Sequence, residues 1–234
     1  PLRTFTIGFD EAAYDERGAA RVVAAAIGAE HHEHVVTPDA RGILDTLAYH
    51  YDEPFADSSA IPTWYVSRWA RERVTVALTG DAGDECFAGY DRYRAARLAA
   101  SFDWIPASMR RAISALGRFV PHANPRTAGS RLYRFAAALG ESPAGRYRSW
   151  INIFPPAELA AGYRAETLAC IDFSEPLRWF DALYAGVGGP DAVEAANRTD
   201  LVTYLPYDLL CMVDIASMAC SLECRSPFLD HELV

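Results

Sequence analysis

The chain has 234 residues, of which 51% are hydrophobic and 23% charged, a composition that excludes a disordered or collagen-like protein. Its 31 acidic residues outnumber its 22 basic residues, and the net charge of −9 argues against a general nucleic-acid or membrane-surface binder. No apolar run approaches the length of a transmembrane helix, and five cysteines without a CxxC pair favour a reduced, cytoplasmic setting.

The first hundred residues alternate between strand and helix patterns. The predicted elements are strands at 3–9, 34–36 and 74–78 and helices at 15–27, 43–51 and 63–73. The unbroken apolar run at 74–78 is typical of a strand buried on both faces of a parallel sheet. The alternation predicts an α/β fold with a doubly wound parallel sheet, in which the strands ending at Phe9 and Leu78 lie side by side.

The character of the sequence changes after Tyr93. Residues 95–139 are rich in Ala and Arg, with helical spacing interrupted by prolines, and short helical pieces continue to residue 200. We therefore expect two parts. Residues 1–95 form an α/β nucleotide-binding part, incomplete at its N-terminus, and residues 96–234 form a helical part that packs onto it.

Three carboxylates and two glycines lie in the segment 78–85 (LTGDAGDE), directly after the buried strand. Ligands of open α/β sheets bind beyond the carboxyl ends of strands, and glycines let the backbone approach a phosphate. Because carboxylates repel phosphate unless a hard cation lies between them, the segment indicates a nucleotide held with Mg²⁺. An acidic turn at a helix start has the same pattern, and the segment alone leaves both interpretations open.

A second segment, 52–63 (DEPFADSSAIPT), places small hydroxyl side chains before a predicted helix. Such residues commonly cap a helix, and the same N-terminus is also a site for a carboxylate or phosphate. Capping is the better interpretation of this segment alone.

The third segment, 204–231, contains a helix that is apolar on most sides and ends in a charged turn. Buried charges near a turn favour a structural ion-pair cluster, here of Glu223, Arg225 and Asp230. Cys220 and Cys224 are four residues apart, but buried inert thiols are more typical than a metal site for such a pair.

Together, and in this order, these segments resemble the synthetase domain of the glutamine-hydrolysing asparagine synthetase family. The matching pieces are FTIGFDE, IGAEHHEHVV, DEPFADSSAIPTWYVS, LTGDAGDECFAGYDRY and YLPYDLL through SLECRSPFLDHELV. They cover the α/β half and the two ends well, and residues 95–195 loosely. The resemblance implies a doubly wound sheet of the adenine-nucleotide α-hydrolase type, followed by an all-α half.

The resemblance also implies a cytoplasmic enzyme that uses ATP and Mg²⁺ to convert a carboxylate into an acyl-adenylate and then into an amide. The expected substrate is aspartate or a related carboxylate, with ammonia from a glutaminase domain, and a homodimer is compatible with this. Two alternatives stay open. One is a relative that acylates another amine, in β-lactam formation or peptide cyclisation, and the other is a degenerate, catalytically weak binding or scaffold module. Neither nucleic acid nor a membrane is an expected partner.

The resemblance assigns roles to individual residues. It places Ile7 and Gly80 at the nucleotide and Asp84 at Mg²⁺. Asp81 is the candidate catalytic residue, which orients or deprotonates the amine. Four further residues fall in the amino-acid pocket: Asp57, Ser58, Ser59 and Thr63.

The sequence departs from the family pattern in two places. The pyrophosphate loop Ser-Gly-Gly-x-Asp-Ser, expected one strand and one helix before residue 1, is missing from these 234 residues, which are therefore expected to be inactive as a fragment. The family's helix motif also has a lysine where this chain has Met212 and an arginine where it has Ile215. Either Arg92 or Arg225 replaces the missing cation, or the domain is catalytically weak.

Overall fold

Strands and helices alternate over the first third of the chain, and helices dominate thereafter. The computed structural model describes residues 2–11, 15–37, 39–117, 119, 127–154 and 156–234. The strands in these ranges are β1 (Arg3–Gly8), β2 (Glu30–Val35), β3 (Val76–Leu78) and β4 (Glu223–Arg225). The mixed α/β class predicted from the sequence is confirmed.

The helices of the described ranges follow in chain order. They are α1 (Arg17–Ala26), α2 (Ala40–Tyr51), α3 (Ala60–Arg71), α4 (Gly83–Phe87), α5 (Asp91–Ala100), α6 (Ala107–Gly117), α7 (Ala128–Ala138), α8 (Pro143–Ile151), α9 (Pro156–Gly162), α10 (Ala165–Leu168), α11 (Glu175–Val187), α12 (Ala192–Val202) and α13 (Leu210–Met218). A π-helical turn, Leu205–Leu209, leads into α13, and a 3₁₀ turn, Pro227–Leu229, follows β4.

Each described strand pairs in parallel with one neighbour. The β1–β2 register sets Arg3 opposite Glu30, and the β3–β4 register sets Leu78 opposite Arg225. The prediction that the strands ending at Phe9 and Leu78 lie side by side in one sheet is therefore wrong for the described residues, which form two two-stranded sheets. In the described ranges, each of the two strands bonds along one edge only, β1 to β2 and β3 to β4, and a cavity lies between their other edges.

The chain divides into two compact units, residues 1–82 with 204–234, and residues 83–203. This division differs from the expected boundary at residue 95. Residues 204–234 belong to the first unit because β4 pairs with β3 and α13 packs against α2 and α3.

The core of the first unit lies where α2, α3 and α13 meet. Tyr51, Trp64, Met212 and Ala216 are buried there, and the Tyr51 hydroxyl donates to the main-chain oxygen of Met212 at 3.0 Å. On the sheet side, Phe5 of β1 packs edge-on against Trp69 of α3. This packing fixes α3 beside both β1 and α13.

Side-chain caps explain where several helices begin. Asp39 accepts from the Gly42 amide at the start of α2, and Thr127 and Ser142 cap α7 and α8 in the same way. Asp191 accepts from two amides in the first turn of α12. Each cap satisfies N–H groups that have no partner within their own helix.

The second unit is helical throughout the described residues and contains a buried charged cluster. Asp200 of α12 is fully buried and lies 2.8 Å from the Arg92 guanidinium of α5. The Tyr93 and Tyr147 hydroxyls donate to the same Asp200 oxygen at 2.7 and 2.5 Å. Buried charges are tolerated when they are paired and hydrogen-bonded, and this cluster ties α5, α8 and α12 together.

Within the described residues, one helical stretch, Ala192–Met218, is long and apolar enough to cross a membrane by length and composition alone. Core helices of soluble proteins pass the same test, so the stretch is weak evidence for a membrane span. The sequence pattern predicted no such stretch.

Candidate functional site

A cavity of about 800 Å³ lies between β1 and β3 in the first unit. Apolar side chains of both strands and of α3 line most of its wall. The polar part of the wall includes Thr63, Thr79, Asp81 and Cys224. The Thr79 hydroxyl oxygen is buried without a hydrogen-bond partner among the described residues. Two of the residues assigned from the sequence, Thr63 and Asp81, therefore line one cavity.

On each side of this cavity lies the strand edge that the described residues do not use in pairing: the edge of β1 opposite β2, and the edge of β3 opposite β4. Leu2 and Gly8 direct their carbonyls to β2, and Thr75 and Thr79 bond to β4. Because hydrogen-bonding direction alternates along a strand, the polar groups of Phe5 and Ile7 on β1, and of Leu78 and Gly80 at the end of β3, point to the opposite edges. Ile7 and Gly80, the two predicted nucleotide contacts, thus lie on edges that the described strands leave unpaired.

The turn after β3 combines open backbone with a left-handed residue. A Cβ added at Gly80 would meet no heavy atom within 4 Å, so a ligand has room to approach the main chain there. Ala82 is 1% exposed and has a φ of 69°, a conformation that non-glycine residues rarely adopt. The Ser226 hydroxyl donates to the main-chain oxygen of Asp81 and links the turn to the end of the chain. Such strained turns are often found at functional sites.

The segment before α3 is organised by Asp57. Its carboxylate accepts from the Ser59 amide at 2.8 Å, and its carbonyl accepts from the Ala60 amide. Ser58 and Ser59 are exposed, and Ser59 makes no side-chain cap. The expectation that a side chain caps α3 is therefore wrong, because the Asp57 carboxylate bonds to the amide before the helix and not to one within its first turn. Thr63, one turn into α3, is the member of this segment that lines the cavity.

Asp208 was not among the residues assigned from the sequence. It lies in the π-helical turn Leu205–Leu209, and burial, together with the nearby Asp57 carboxylate, raises the pKa of Asp208. Burial and the same two carboxylates raise the pKa of Tyr51 to about 12. The sequence feature that could have indicated this turn is Pro206. Proline has no N–H to donate, so it interrupts the regular hydrogen bonds of a helix and marks an irregular turn.

Met212 is 5% exposed and packs in the apolar core of the first unit. Ile215 packs against the same cluster. Of the arginines considered as replacements for the missing lysine, Arg225 is ion-paired with Glu223 at 2.6 Å and is mostly exposed. Arg92 belongs to the second unit, where it is ion-paired with Asp200. The position of the family's lysine is thus apolar in this chain.

Asp84 lies in the second unit, in the first turn of α4, and its side chain is exposed. Its main-chain oxygen accepts from the Gly89 amide at 2.9 Å. The neighbouring Glu85 is buried instead, and accepts from the Tyr90 hydroxyl at 2.7 Å. In the described part of the chain no three His, Cys, Asp or Glu residues are grouped so as to hold a metal ion. An exposed single carboxylate suits Mg²⁺ when phosphate oxygens and water complete its coordination.

Cys220 and Cys224 are half-buried thiols, whereas Cys211 is exposed. Burial raises the pKa of Cys220 to about 11, and it also raises the pKa of Cys224. The thiolate is the nucleophile and the metal ligand, so a raised pKa disfavours both roles at neutral pH.

Comparisons with known proteins agree with the motifs. The sequence model of the asparagine synthase family matches residues 1–234. A Mycobacterium tuberculosis (strain ATCC 25618 / H37Rv) protein provisionally named asparagine synthetase (glutamine-hydrolysing) is 35% identical over 233 residues, covering 99% of this chain and 34% of the relative. Asparagine synthetase (glutamine-hydrolysing) 1 of Bacillus subtilis (strain 168) is 30% identical over 233 residues, covering 98% of this chain and 35% of the relative. The chain thus spans about a third of the length of these curated relatives.

Proposed function

This chain belongs to the asparagine synthase family, and from that premise we propose that it is the synthetase part of an ATP-dependent ligase that forms an amide through an acyl-adenylate. The proposed substrate is aspartate, with ammonia derived from glutamine, and the proposed setting is the cytoplasm. The observation that carries the proposal is the turn after β3, where open backbone at Gly80 adjoins Asp81 on the wall of the cavity.

The residues of this turn and of α3 have separate proposed roles. Gly80 and Ile7 present main-chain groups to the nucleotide, and Asp81 orients or deprotonates the attacking amine. Thr63 offers a hydroxyl to the amino-acid substrate, together with the nearby segment of Asp57, Ser58 and Ser59. Asp84 is the proposed carboxylate ligand of Mg²⁺, which when bound neutralises charge on the phosphates.

Release of pyrophosphate from ATP tests this function in the natural full-length protein. We expect release that depends on aspartate and yields AMP. A second candidate, a catalytically weak binding module, is favoured by the apolar burial of Met212. That candidate predicts nucleotide binding without pyrophosphate release.

Gly80→Ala is expected to weaken nucleotide binding at least tenfold without loss of fold. The added methyl group meets no protein atom within 4 Å, so it occupies only the space through which the ligand would approach. Isothermal titration with ATP measures the affinity, and thermal unfolding checks stability. Gly18→Ala is the matched control, because its Cβ also meets nothing within 4 Å but lies in α1. Equal affinities for all three proteins would show that the nucleotide does not contact Gly80.

Asp84→Asn is expected to weaken the binding of ATP with Mg²⁺ far more than that of metal-free AMP. The change removes one charge and keeps the size of the side chain, and the residue is exposed, so the fold is expected to be unaffected. Titrations with the two ligands provide the comparison. Equal losses for both ligands would identify Asp84 as structural rather than metal-binding.

We also propose that a further parallel strand fits between β1 and β3 and joins the two strand pairs into one doubly wound sheet. The support is the cavity itself, bordered on both sides by strand edges whose polar groups point into it. The α/β part would then include a strand supplied by polypeptide outside residues 1–234.

Hydrogen exchange in the natural full-length protein tests this sheet. The amides of Phe5 and Leu78 face the cavity, so we expect them to be protected as strongly as the Ala77 amide, which faces β4. Fast exchange at Phe5 and Leu78 beside slow exchange at Ala77 would exclude the added strand.

A further inference from the structure

A groove of about 430 Å³ runs between α5 and α7 in the second unit. Both helices pack against α8, which forms the floor between them. The Phe102 and Phe135 rings, with centroids 6.2 Å apart, join the two sides beyond the end of α5. Arg131 and Asp91, 3.5 Å apart, join them near its start. Contacts between the two helices thus limit the groove at both ends of α5, and the described residues leave it open to solvent between these contacts.

The walls of the groove are apolar at their centre. Leu98 is 53% exposed and Leu132 is 56% exposed, although both lie on helices that also contribute to the core. The Trp150 and Phe135 rings stack at 6.3 Å on the floor. A groove with exposed apolar side chains on its wall and polar residues at its rim is a common feature of interaction sites.

The rim of the groove is positively charged in a chain with a net charge of −9. The arginines that line it, Arg94, Arg131 and Arg134, outnumber its one lining carboxylate, Asp91. A fourth arginine, Arg92, is balanced by the buried Asp200. The pairs of Asp91 with Arg94 and Arg131 are at 3.9 and 3.5 Å between mostly exposed side chains, and such pairs contribute little and are easily exchanged.

We propose that this groove is a docking surface for an acidic amphipathic helix. The groove-lining residues of α5 and α7 recur at helical spacing, so each helix presents one face, and a third helix packs between two such faces by ridges into grooves. Leucine-like side chains of the partner cover Leu98, Leu132 and Trp150, and its flanking carboxylates meet Arg94 and Arg131. Charge complementarity selects an acidic helix over a basic one and makes the affinity salt-dependent.

Fluorescence anisotropy on the natural full-length protein tests the proposal with a designed peptide. The probe is a labelled helix of about three turns, with leucine at i, i+3, i+4 and i+7 and glutamate at most other positions. A second peptide with glutamine in place of every glutamate has the same shape without the charge. We expect the acidic peptide to bind at least tenfold more tightly than the neutral one, and the difference to shrink at high salt.

Two protein variants locate the binding. Arg94→Glu with Arg131→Glu reverses the rim charge at exposed positions and is expected to abolish the preference for the acidic peptide. Arg178→Glu, a mostly exposed arginine paired with Asp172 elsewhere in this unit, is the control and is expected to bind as the unmodified protein. Leu132→Asp tests the apolar wall independently and is expected to weaken the binding of both peptides.

Three results would overturn the proposal. The first is absence of a preference for the acidic peptide, and the second is a preference that survives the double charge reversal. The third is a change of oligomeric state in the double variant, because sedimentation would then show that a second copy of the chain occupies the groove.

Discussion

Met212→Lys is expected to lower the free energy of unfolding by about 3–5 kcal/mol, the usual effect of an uncompensated buried charge. Met212 is 5% exposed and is surrounded by the apolar side chains of α2 and α3. The buried cluster around it contains no carboxylate among the described residues, and the Tyr51 hydroxyl already donates to the main-chain oxygen of Met212. The Asp57 and Asp208 carboxylates act on Tyr51 from outside this cluster. Urea unfolding monitored by Trp fluorescence measures the loss.

Met212→Leu is the matched control and is expected to cost less than about 1.5 kcal/mol, because it conserves volume and apolar character. The pH dependence separates charge from packing. Burial lowers the pKa of the introduced lysine, so the folded state binds fewer protons than the unfolded state below the ordinary lysine pKa of roughly 10.4. The stability of Met212→Lys should therefore rise towards alkaline pH, whereas that of Met212→Leu should not.

The catalytic consequence follows from the same packing. We expect Met212→Lys not to increase the rate of pyrophosphate release. The introduced ammonium group would lie in the apolar core and disrupt it, and would not contact the phosphates. A faster release with unchanged unfolding would contradict this and would show that position 212 still faces the reacting groups. That result would favour the synthetase over the binding module.

Local patterns predicted the elements that depend on neighbouring residues. The first three strands and the helices α1, α2 and α3 lie within a few residues of their predicted positions, because apolar spacing and caps act over one or two turns. β4 was missed, since three residues carry no periodic signal and its partner β3 lies far away in the sequence. The same long-range pairing explains why the units divide at 82 and 203 rather than at 95.

The candidate site was predictable to a similar extent. Gly80 and Asp81 follow from the pattern of a strand and a glycine-containing turn. The proximity of Asp57 and Asp208 does not, because it depends on how α13 and its preceding turn pack in the first unit. The expected ion-pair cluster is present in part, as the exposed pair of Arg225 and Glu223. Pairs of charged residues that are close in sequence were easier to predict than charged residues that the packing of distant elements brings together.

Asp200→Ala is expected to destabilise the second unit by about 3–5 kcal/mol, because it leaves the Arg92 guanidinium without its counter-charge. Asp200 is fully buried and accepts from Arg92, Tyr93 and Tyr147 on a single carboxylate oxygen. Burial lowers the pKa of Arg92, but Tyr147 and Asp200 outweigh that effect and hold the pKa above its usual value. The Arg92 guanidinium also lies 3.7 Å from the centre of the Tyr90 ring, a contact that helps to hold it beside the buried Asp200.

A double variant separates the contribution of the Asp200–Arg92 ion pair to stability from that of the surrounding packing. Asp200→Leu with Arg92→Met replaces both charges by apolar groups, and exchanges of this kind are often neutral or stabilising. The Tyr93 and Tyr147 hydroxyls lose their acceptor in both variants, so we expect the double variant to recover only the part of the stability that Asp200→Ala loses through the uncompensated charge of Arg92. Glu194→Ala, which removes an exposed pair with Arg198 on the same helix, is the control and should cost no more than about 0.5 kcal/mol. If Asp200→Ala unfolds like this control, the buried charged cluster does not hold α5, α8 and α12 together, and their packing depends on the apolar core of the second unit.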